Sequence, residues 1–208
     1  MSISIFDTGT ANIASLEKSL DKINVNYFVS KDIDACIRKS KKIILPGIGN
    51  MNSLIDIKDE LKIKLSNFLK KNEHYLLGIC LGAQIMLDFS EESKTDTLGL
   101  IEGDVKKVFD KFKINLNIGY KTIDFKKHLS NQPTLKKLFY GIPLNSKFYF
   151  LHKYYLDVKD ERTIICESYF EKNKFTSIMI KNNIIGVQFH PELSKENGLN
   201  FLENFSKI

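Results

Sequence analysis

The segment 75–82 constrains the fold of this chain more than any other. It is an apolar run, typical of a buried strand, that delivers Cys80 between two glycines, Gly78 and Gly82. Glycines at both second neighbours permit a sharp turn from strand to helix, which bulky residues would block, and such a turn exposes its central residue at the sheet edge. The segment therefore predicts a buried strand, a nucleophile at Cys80 and a helix from Leu81 to Phe89.

Short apolar runs alternate with amphipathic helical patterns through the first half of the chain. Asn12 is placed to cap the first helix. The predicted strands are 3–6, 27–29, 43–45 and 75–79, and the apolar helix faces are Ile13, Leu16, Leu20 and Ile23, then Leu61, Leu65, Phe68 and Leu69. Because strands that alternate with helices are typical of parallel sheets covered on both faces, this half predicts an α/β fold.

The second half of the chain is richer in strand patterns. The predicted strands are 105–109, 122–125, 148–151, 164–166, 175–180 and 184–189. The sequence Lys181-Asn182-Asn183 suits a hairpin turn, and 198–205 has the spacing of a closing helix. We predict a three-layer α/β fold with a mixed, mainly parallel central sheet and antiparallel additions, forming one domain over residues 1–208.

Composition excludes several classes of function. The chain has 208 residues, 43% of them hydrophobic, and a net charge of +6. Its lysines come as scattered pairs among acidic residues, so we predict a solvated surface and no nucleic-acid partner. The three cysteines, Cys36, Cys80 and Cys166, lack the spacing of a disulfide framework or a zinc site. With neither a leader pattern nor a long apolar stretch, the expected location is the cytoplasm, away from membranes, and no metal or cofactor is expected.

Cys80 is the candidate nucleophile. The helix after it directs an N-terminus at the sulfur, which favours the thiolate. Taken alone, the pattern also allows a buried structural cysteine beside a tight turn. Cys36 and Cys166 lack such a setting, and we interpret both as packing residues.

His190 has the best context among the four histidines to act with a thiolate. It ends a predicted strand and is followed by Pro191 and Glu192. In extended backbone Glu192 can share a side with His190 and hold one ring nitrogen, leaving the other for the sulfur. Of the other histidines, His74 and His128 are predicted to lie at the surface, and His152 is ambiguous between core and site.

A second glycine motif follows the strand 43–45. It reads Pro46-Gly47-Ile48-Gly49. Its glycines let backbone N–H groups approach a ligand. Together with Leu81 these groups could stabilise an oxyanion formed when Cys80 attacks a carbonyl, although an ordinary turn would have the same sequence.

These motifs, in this order, resemble the class I (triad) glutamine amidotransferases, and most strongly the glutaminase subunits of imidazole glycerol phosphate synthase. The motifs that carry the resemblance are 7–12, 45–49, 78–84, 90–92, 99–103, 118–120, 148–155 and 186–204. It implies a flavodoxin-like fold with no cofactor. It also implies that Cys80 attacks glutamine, that His190 transfers protons and that Glu192 orients His190.

The resemblance implies further roles. Gln84 and Tyr154 would bind glutamine, with an oxyanion hole at Gly47, Gly49 and Leu81. The positions Asn12, Tyr120 and Leu193 would face the partner. That partner would be a (β/α)8-barrel synthase subunit, which receives the ammonia within a heterodimer and makes imidazole glycerol phosphate and aminoimidazole carboxamide ribonucleotide for histidine biosynthesis.

Several positions depart from the family pattern, while the predicted triad does not. They are Thr8, Ala11, Asn117, Tyr120, Lys121, Lys153 and Leu193. These departures leave open a paralogue that supplies ammonia for surface-sugar amidation. A non-enzymatic binding module on the same fold is the third alternative.

Overall fold

The fold is described by a computed structural model, which places residues 2–9, 12–47, 51–108, 116–126 and 133–208. Its strands are β1 (Ile3–Phe6), β2 (Tyr27–Ser30), β3 (Lys42–Leu45), β4 (Tyr75–Ile79), β5 (Phe89–Ser90), β6 (Thr95–Asp96), β7 (Gly103–Lys107), β8 (Asn117–Thr122), β9 (Asp124–Phe125), β10 (Lys147–His152), β11 (Tyr154–Val158), β12 (Ile164–Phe170), β13 (Asn173–Lys181) and β14 (Ile184–Val187). Its helices are α1 (Ile13–Lys22), α2 (Ile33–Lys39), α3 (Asn52–Ile55), α4 (Lys58–Phe68), α5 (Leu81–Gln84), α6 (Pro133–Leu138) and α7 (Lys195–Lys207). No helix in these ranges is long and apolar enough to cross a membrane.

The main sheet is mixed, with parallel strands at its centre. Its order is β2-β1-β3-β4-β14-β13-β11-β7-β5-β6, with β12 and β9 branching from β13. From β2 to β14 all neighbours are parallel, whereas β14, β13, β11 and β7 pair antiparallel. This confirms the predicted fold class, and it places the ends of β3, β4 and β14 side by side.

Successive residues of the parallel strands pack on opposite faces of the sheet. Ile44 and Leu77 belong to the core beneath α1 and α7, while Leu45 and Leu76 belong to the core beneath α2 and α4. Because side chains alternate along a strand, a strand covered on both faces needs apolar residues at every position. The continuous apolar runs of the sequence are explained by this burial.

The helix predicted from Leu81 to Phe89 is wrong in its extent, because α5 ends at Gln84 and Phe89 begins β5. The carbonyls that a longer helix would use are already taken. The oxygens of residues 85–87 accept hydrogen bonds from backbone N–H groups of residues 98–101, at 2.7–3.0 Å. The returning loop therefore stops the helix after one turn.

The predicted strand 122–125 is divided in the structure. Its first residue ends β8, which pairs with β10, and its last two form β9, which pairs with β12. The chain changes partners at Ile123, which is buried between the two. The predicted strand 105–109 is observed as β7, and Phe109 lies outside the described residues.

Strands β8 and β10 form a separate antiparallel ribbon with two unlike faces. Its inner face buries Asn117, Phe148, Phe150 and His152. Its outer face carries Ile118, Tyr120, Tyr149 and Leu151, of which Ile118 is 55% exposed and Tyr120 is 42% exposed. We call this second surface the outer ribbon face.

The prediction that His74 lies at the surface is wrong. The residue is buried, its Nδ1 lies 2.9 Å from the carbonyl oxygen of Phe68, and its ring packs on the ring of Phe68. A histidine before a strand can satisfy its ring nitrogen at the end of the preceding helix, which a sequence pattern does not reveal. His128 lies outside the described residues.

Candidate active site

Cys80 occupies a strained turn at the end of β4. Its φ of +48° and ψ of −106° are unusual for a residue with a side chain, and such strain persists only where the surroundings impose it. Here backbone hydrogen bonds hold the turn in place. The N–H of Cys80 donates to Val187 O at 2.7 Å, and the N–H of Gln84 donates to Cys80 O at 2.9 Å.

Three glycines around this turn leave no room for a side chain. A Cβ on Gly78 would lie 2.5 Å from Gly82 O, and a Cβ on Gly82 would lie 1.9 Å from Leu45 O. A Cβ on Gly47 would lie 1.7 Å from Ile79 O. The turn is thus packed backbone against backbone, which agrees with the steric argument made from the sequence.

His190 and Glu192 are brought together just after β14. His190 Nδ1 lies 2.8 Å from Glu192 Oε1, so the ring donates Nδ1–H to the carboxylate. Both side chains are buried, and neither His190 Nε2 nor Glu192 Oε2 has a hydrogen-bond partner among the described residues. Burial opposes a charged ring, but interactions with Cys80 and Glu192 outweigh it and hold the pKa of His190 well above its ordinary value.

The backbone of His190 is fixed by the ribbon and by Ser194. The N–H of His190 donates to Tyr149 O at 2.8 Å. The hydroxyl of Ser194 accepts from the N–H of Tyr149 at 2.9 Å and donates to His190 O. The backbone that carries the ring is therefore held by β10 as well as by its attachment to β14.

His152 is a second buried histidine in this region, and its environment is the opposite of that of His190. Its Nδ1 donates to Tyr154 O at 2.9 Å, and its Nε2 accepts from Asn117 Nδ2 at 2.8 Å. Burial, with smaller contributions from His190 and Lys121, lowers the pKa of His152 to about 3. The ring is therefore neutral. It belongs to the ribbon core and also lines the cavity described next.

A cavity of about 330 Å³ opens beside Cys80. Four other predicted site residues line it with Cys80: Gly47, Leu81, Gln84 and Tyr154. Gln84 is held by a 2.7 Å hydrogen bond from its Nε2 to Tyr154 O. Gly49, predicted for the oxyanion hole, lies outside the described residues.

Two charged residues of the cavity were not predicted as site residues, Glu92 and Lys153. Burial raises the pKa of Glu92, and the nearby Lys153 acts in the opposite direction. The sequence did point to Glu92, because the segment Ser90-Glu91-Glu92 is one of the motifs that carry the family resemblance. Lys153 was noted only as a departure from the family pattern.

The other two cysteines lie away from this site. Both are buried, and burial raises the pKa of the Cys36 thiol to about 11 and that of the Cys166 thiol well above its ordinary value. Acidic neighbours, Asp32 for Cys36 and Asp124 for Cys166, add to this. Both thiols therefore stay neutral, as expected of packing residues.

Tyr120 and Leu193, two of the three residues predicted to face a partner, contact each other. The hydroxyl of Tyr120 donates to Leu193 O at 2.8 Å, and Lys195 Nζ lies 5.3 Å from the centre of the Tyr120 ring. Tyr120 also packs edge-on against Tyr149. Asn12 is exposed and caps α1 through a bond from the N–H of Ser15. Whether these residues face a partner stays a prediction.

Comparisons of the sequence and the fold with known proteins agree on one family. The sequence model for the family described as glutamine amidotransferase class-I matches residues 4–208. The imidazole glycerol phosphate synthase subunit HisH of Chlorobium luteolum is 39% identical over 207 residues, covering 98% of both chains. The protein of the same name from Haemophilus influenzae is 36% identical, covering 99% of this chain and 96% of its own. A crystal structure of a glutamine amidotransferase, 12% identical, superposes with a TM-score of 0.71 over 99% of both chains, which supports the fold.

Proposed function

We propose a specific role for this chain, which belongs to the class I glutamine amidotransferase family: it is the glutaminase subunit of imidazole glycerol phosphate synthase. It hydrolyses glutamine to glutamate and ammonia, and a synthase subunit consumes the ammonia. The observation that carries the chemistry is the buried His190–Glu192 pair, joined at 2.8 Å beside the strained Cys80.

In the proposed reaction, Cys80 Sγ attacks the side-chain carbonyl carbon of glutamine and forms a tetrahedral intermediate. His190 then gives a proton to the amide nitrogen, the C–N bond breaks, and ammonia leaves a glutamyl thioester on Cys80. Water, deprotonated by His190, hydrolyses the thioester to glutamate and restores the thiolate. Glu192 fixes the ring and stabilises its charged form throughout.

The cavity offers both charges that an amino acid requires. Glu92 presents a carboxylate for the α-ammonium group of glutamine, and Lys153 presents an ammonium for its α-carboxylate. Gln84 and Tyr154 line the same cavity. Burial raises the pKa of Glu92. Binding of the α-ammonium group would act in the opposite direction and favour the ionised carboxylate.

The oxyanion of the intermediate requires N–H donors. Leu81 begins α5, and the first N–H groups of a helix have no acceptor within it. Gly47 lies against this same backbone, and the proposed hole combines the two with Gly49. Hydrolysis without the partner is expected to be slow, with docking completing the hole, because ammonia released without an acceptor is wasted.

The outer ribbon face is the proposed contact with the synthase subunit, a (β/α)8-barrel that shares the cytoplasm with this chain. It is apolar and partly exposed, and it lies beside the site because β10 holds His190. Apolar and aromatic residues of this kind are enriched at the centres of protein interfaces. Tyr120 and Leu193 would anchor it, and Asn12 is a further proposed contact.

Reconstitution with the synthase subunit tests this function. Cys80→Ala should lower glutamine-dependent formation of imidazole glycerol phosphate by about 10³-fold or more, because the nucleophile is lost. The same complex should remain active with ammonium salts, and Cys166→Ala should keep both activities. Substantial glutamine-dependent activity in Cys80→Ala would reject the mechanism.

A genetic test addresses the pathway separately. Deletion of the gene should prevent growth without histidine. Normal growth, with histidine synthesis intact, would reject the pathway assignment and leave the glutaminase chemistry standing.

A further inference from the structure

Gln188 is fully buried between β14 and His190, and its side chain reaches the sulfur of Cys80. Its Nε2 lies 3.6 Å from Cys80 Sγ, within hydrogen-bond distance for sulfur. Buried amides ordinarily direct their N–H groups to oxygen, which is the stronger acceptor. A buried amide that faces a reactive sulfur therefore requires an explanation.

The orientation of this amide is fixed by its other end. Gln188 Oε1 accepts from the backbone N–H of Leu156 at 3.1 Å and from Gln84 Nε2 at 3.4 Å. A backbone N–H can only donate, so the oxygen must lie on that side and the nitrogen must face Cys80. Gln84 is itself oriented by its bond to Tyr154 O.

The charged His190 ring favours the thiolate of Cys80, but two other groups near the sulfur give its charged form little support. The helix after Cys80, expected to stabilise a thiolate, has one turn and ends at Gln84. On another side, Leu151 O lies 3.8 Å from Sγ, where it can accept the thiol proton but would repel a thiolate. Gln188 offers an N–H to the anion, and hydrogen bonds to charged groups are the stronger ones.

We propose that Gln188 is a further catalytic residue, which donates an N–H to Cys80 Sγ and stabilises the thiolate before attack and again when the thioester breaks down. It makes and breaks no covalent bond. In both steps the negative charge lies on sulfur at the moment when the donor is needed. This role rests on the proposed function, since it concerns the same nucleophile.

Two substitutions separate the donor from the rest of the side chain. Gln188→Glu keeps an acceptor for Leu156 and Gln84 but places a negative charge beside the sulfur. Gln188→Met removes the donor without adding charge. We expect kcat for glutamine to fall about 10-fold in Gln188→Met and about 100-fold in Gln188→Glu, with a smaller change in KM.

The decisive readout is the pH dependence of alkylation of Cys80 by iodoacetamide, followed by peptide mapping. This measurement needs neither glutamine nor the partner, so it stands if the substrate or pathway assignment fails. Both variants should move the midpoint of the alkylation profile to higher pH, and Gln188→Glu should move it further, by about one pH unit or more.

Asn204 provides a matched control. It is a buried amide that donates to Leu138 O at 3.0 Å and Tyr140 O at 2.8 Å, away from Cys80. Asn204→Asp should change the free energy of unfolding and leave the alkylation midpoint in place. Folded Gln188→Met and Gln188→Glu proteins with the wild-type midpoint and kcat would overturn the proposal and reduce Gln188 to a core residue.

Discussion

The catalytic edge, formed where β3, β4 and β14 end, and the outer ribbon face adjoin one another but are held by different forces. At the edge, backbone packs directly on backbone, and a Cβ on Gly47 or Gly82 would lie within 2 Å of a carbonyl oxygen. On the ribbon, contacts between side chains predominate, such as the packing of Tyr120 on Tyr149 and beneath Lys195. Steric limits thus restrict which residues the edge can have, whereas the side chains of the outer ribbon face can be substituted more freely.

Five of the seven departures from the family pattern fall on or next to the ribbon, whereas Thr8 and Ala11 come before α1 in the sequence. Tyr120, Lys121 and Lys153 lie on or directly after the ribbon strands, and Leu193 contacts the ribbon. The motif Gly78 to Gly82 around Cys80 is one of those that carry the resemblance. Changes at the edge should therefore act on the chemistry, and changes on the ribbon should act on binding of the partner.

The largest effect is expected from Glu192→Gln, which tests the edge. Gln can still accept from His190 Nδ1 but carries no charge, so the raised pKa of His190 should fall. We expect glutaminase kcat to fall about 10³- to 10⁴-fold, by analogy with triads whose carboxylate becomes an amide. Steady-state assays across pH would measure it, with Glu196→Gln, an exposed residue of α7, as the control.

In contrast, the affinity for the synthase subunit should not change in Glu192→Gln. If Glu192→Gln kept its glutaminase activity but no longer bound the synthase subunit, the proposed roles of the two regions would be contradicted.

The next effect concerns His152, which lies where the regions meet. Burial lowers its pKa to about 3, whereas an unfolded histidine has a pKa of about 6.5. Between these values the unfolded chain binds a proton that the folded chain does not, so stability falls as pH falls. The loss approaches about 1.4 kcal/mol per pH unit.

His152→Gln should remove that part of the slope. Urea unfolding at pH 7.5, 6 and 5 would measure it, and the pH 7.5 value serves as the reference because the ring is then neutral in both states. An unchanged slope in the variant would show that His152 is not the buried neutral group described.

The smallest effect is expected on the outer ribbon face. Tyr120→Ala removes an aromatic ring and its bond to Leu193 O, which should weaken binding of the synthase subunit by about fivefold, or about 1 kcal/mol. Calorimetric titration would measure the dissociation constant, with Tyr140→Ala, an 80% exposed tyrosine elsewhere, as the control. Equal effects of the two substitutions would remove Tyr120 from the interface.

Much of the fold could be predicted from the sequence because periodic burial leaves a periodic pattern. The strand β1 was predicted in this way, whereas the cap at Asn12 and the hairpin turn after Lys181 were predicted from residue types that favour caps and turns. The helix after Cys80 was overestimated, because the loop that blocks it comes from residues 98–101 and leaves no local signal. The bounds of a single domain stay a prediction.

Some residues of the candidate site could likewise be predicted from the sequence, and others could not. Cys80 and His190 could be chosen because glycine and proline mark their turns locally. Gln188 could not, since its role depends on Leu156 and Gln84, distant in sequence, which orient its amide. In the sequence Lys153 was only a departure from the family pattern, and the structure shows that it lines the same cavity as Glu92.

The central claim is that Cys80 is the nucleophile that attacks glutamine. A diazo-ketone analogue of glutamine, added to the complex and followed by digestion and mass mapping, tests it most directly. Because Cys36 and Cys166 are buried and neutral, we predict a single adduct on Cys80, blocked by excess glutamine and absent in Cys80→Ala. A main adduct on Cys36 or Cys166, or labelling that glutamine does not prevent, would contradict the account.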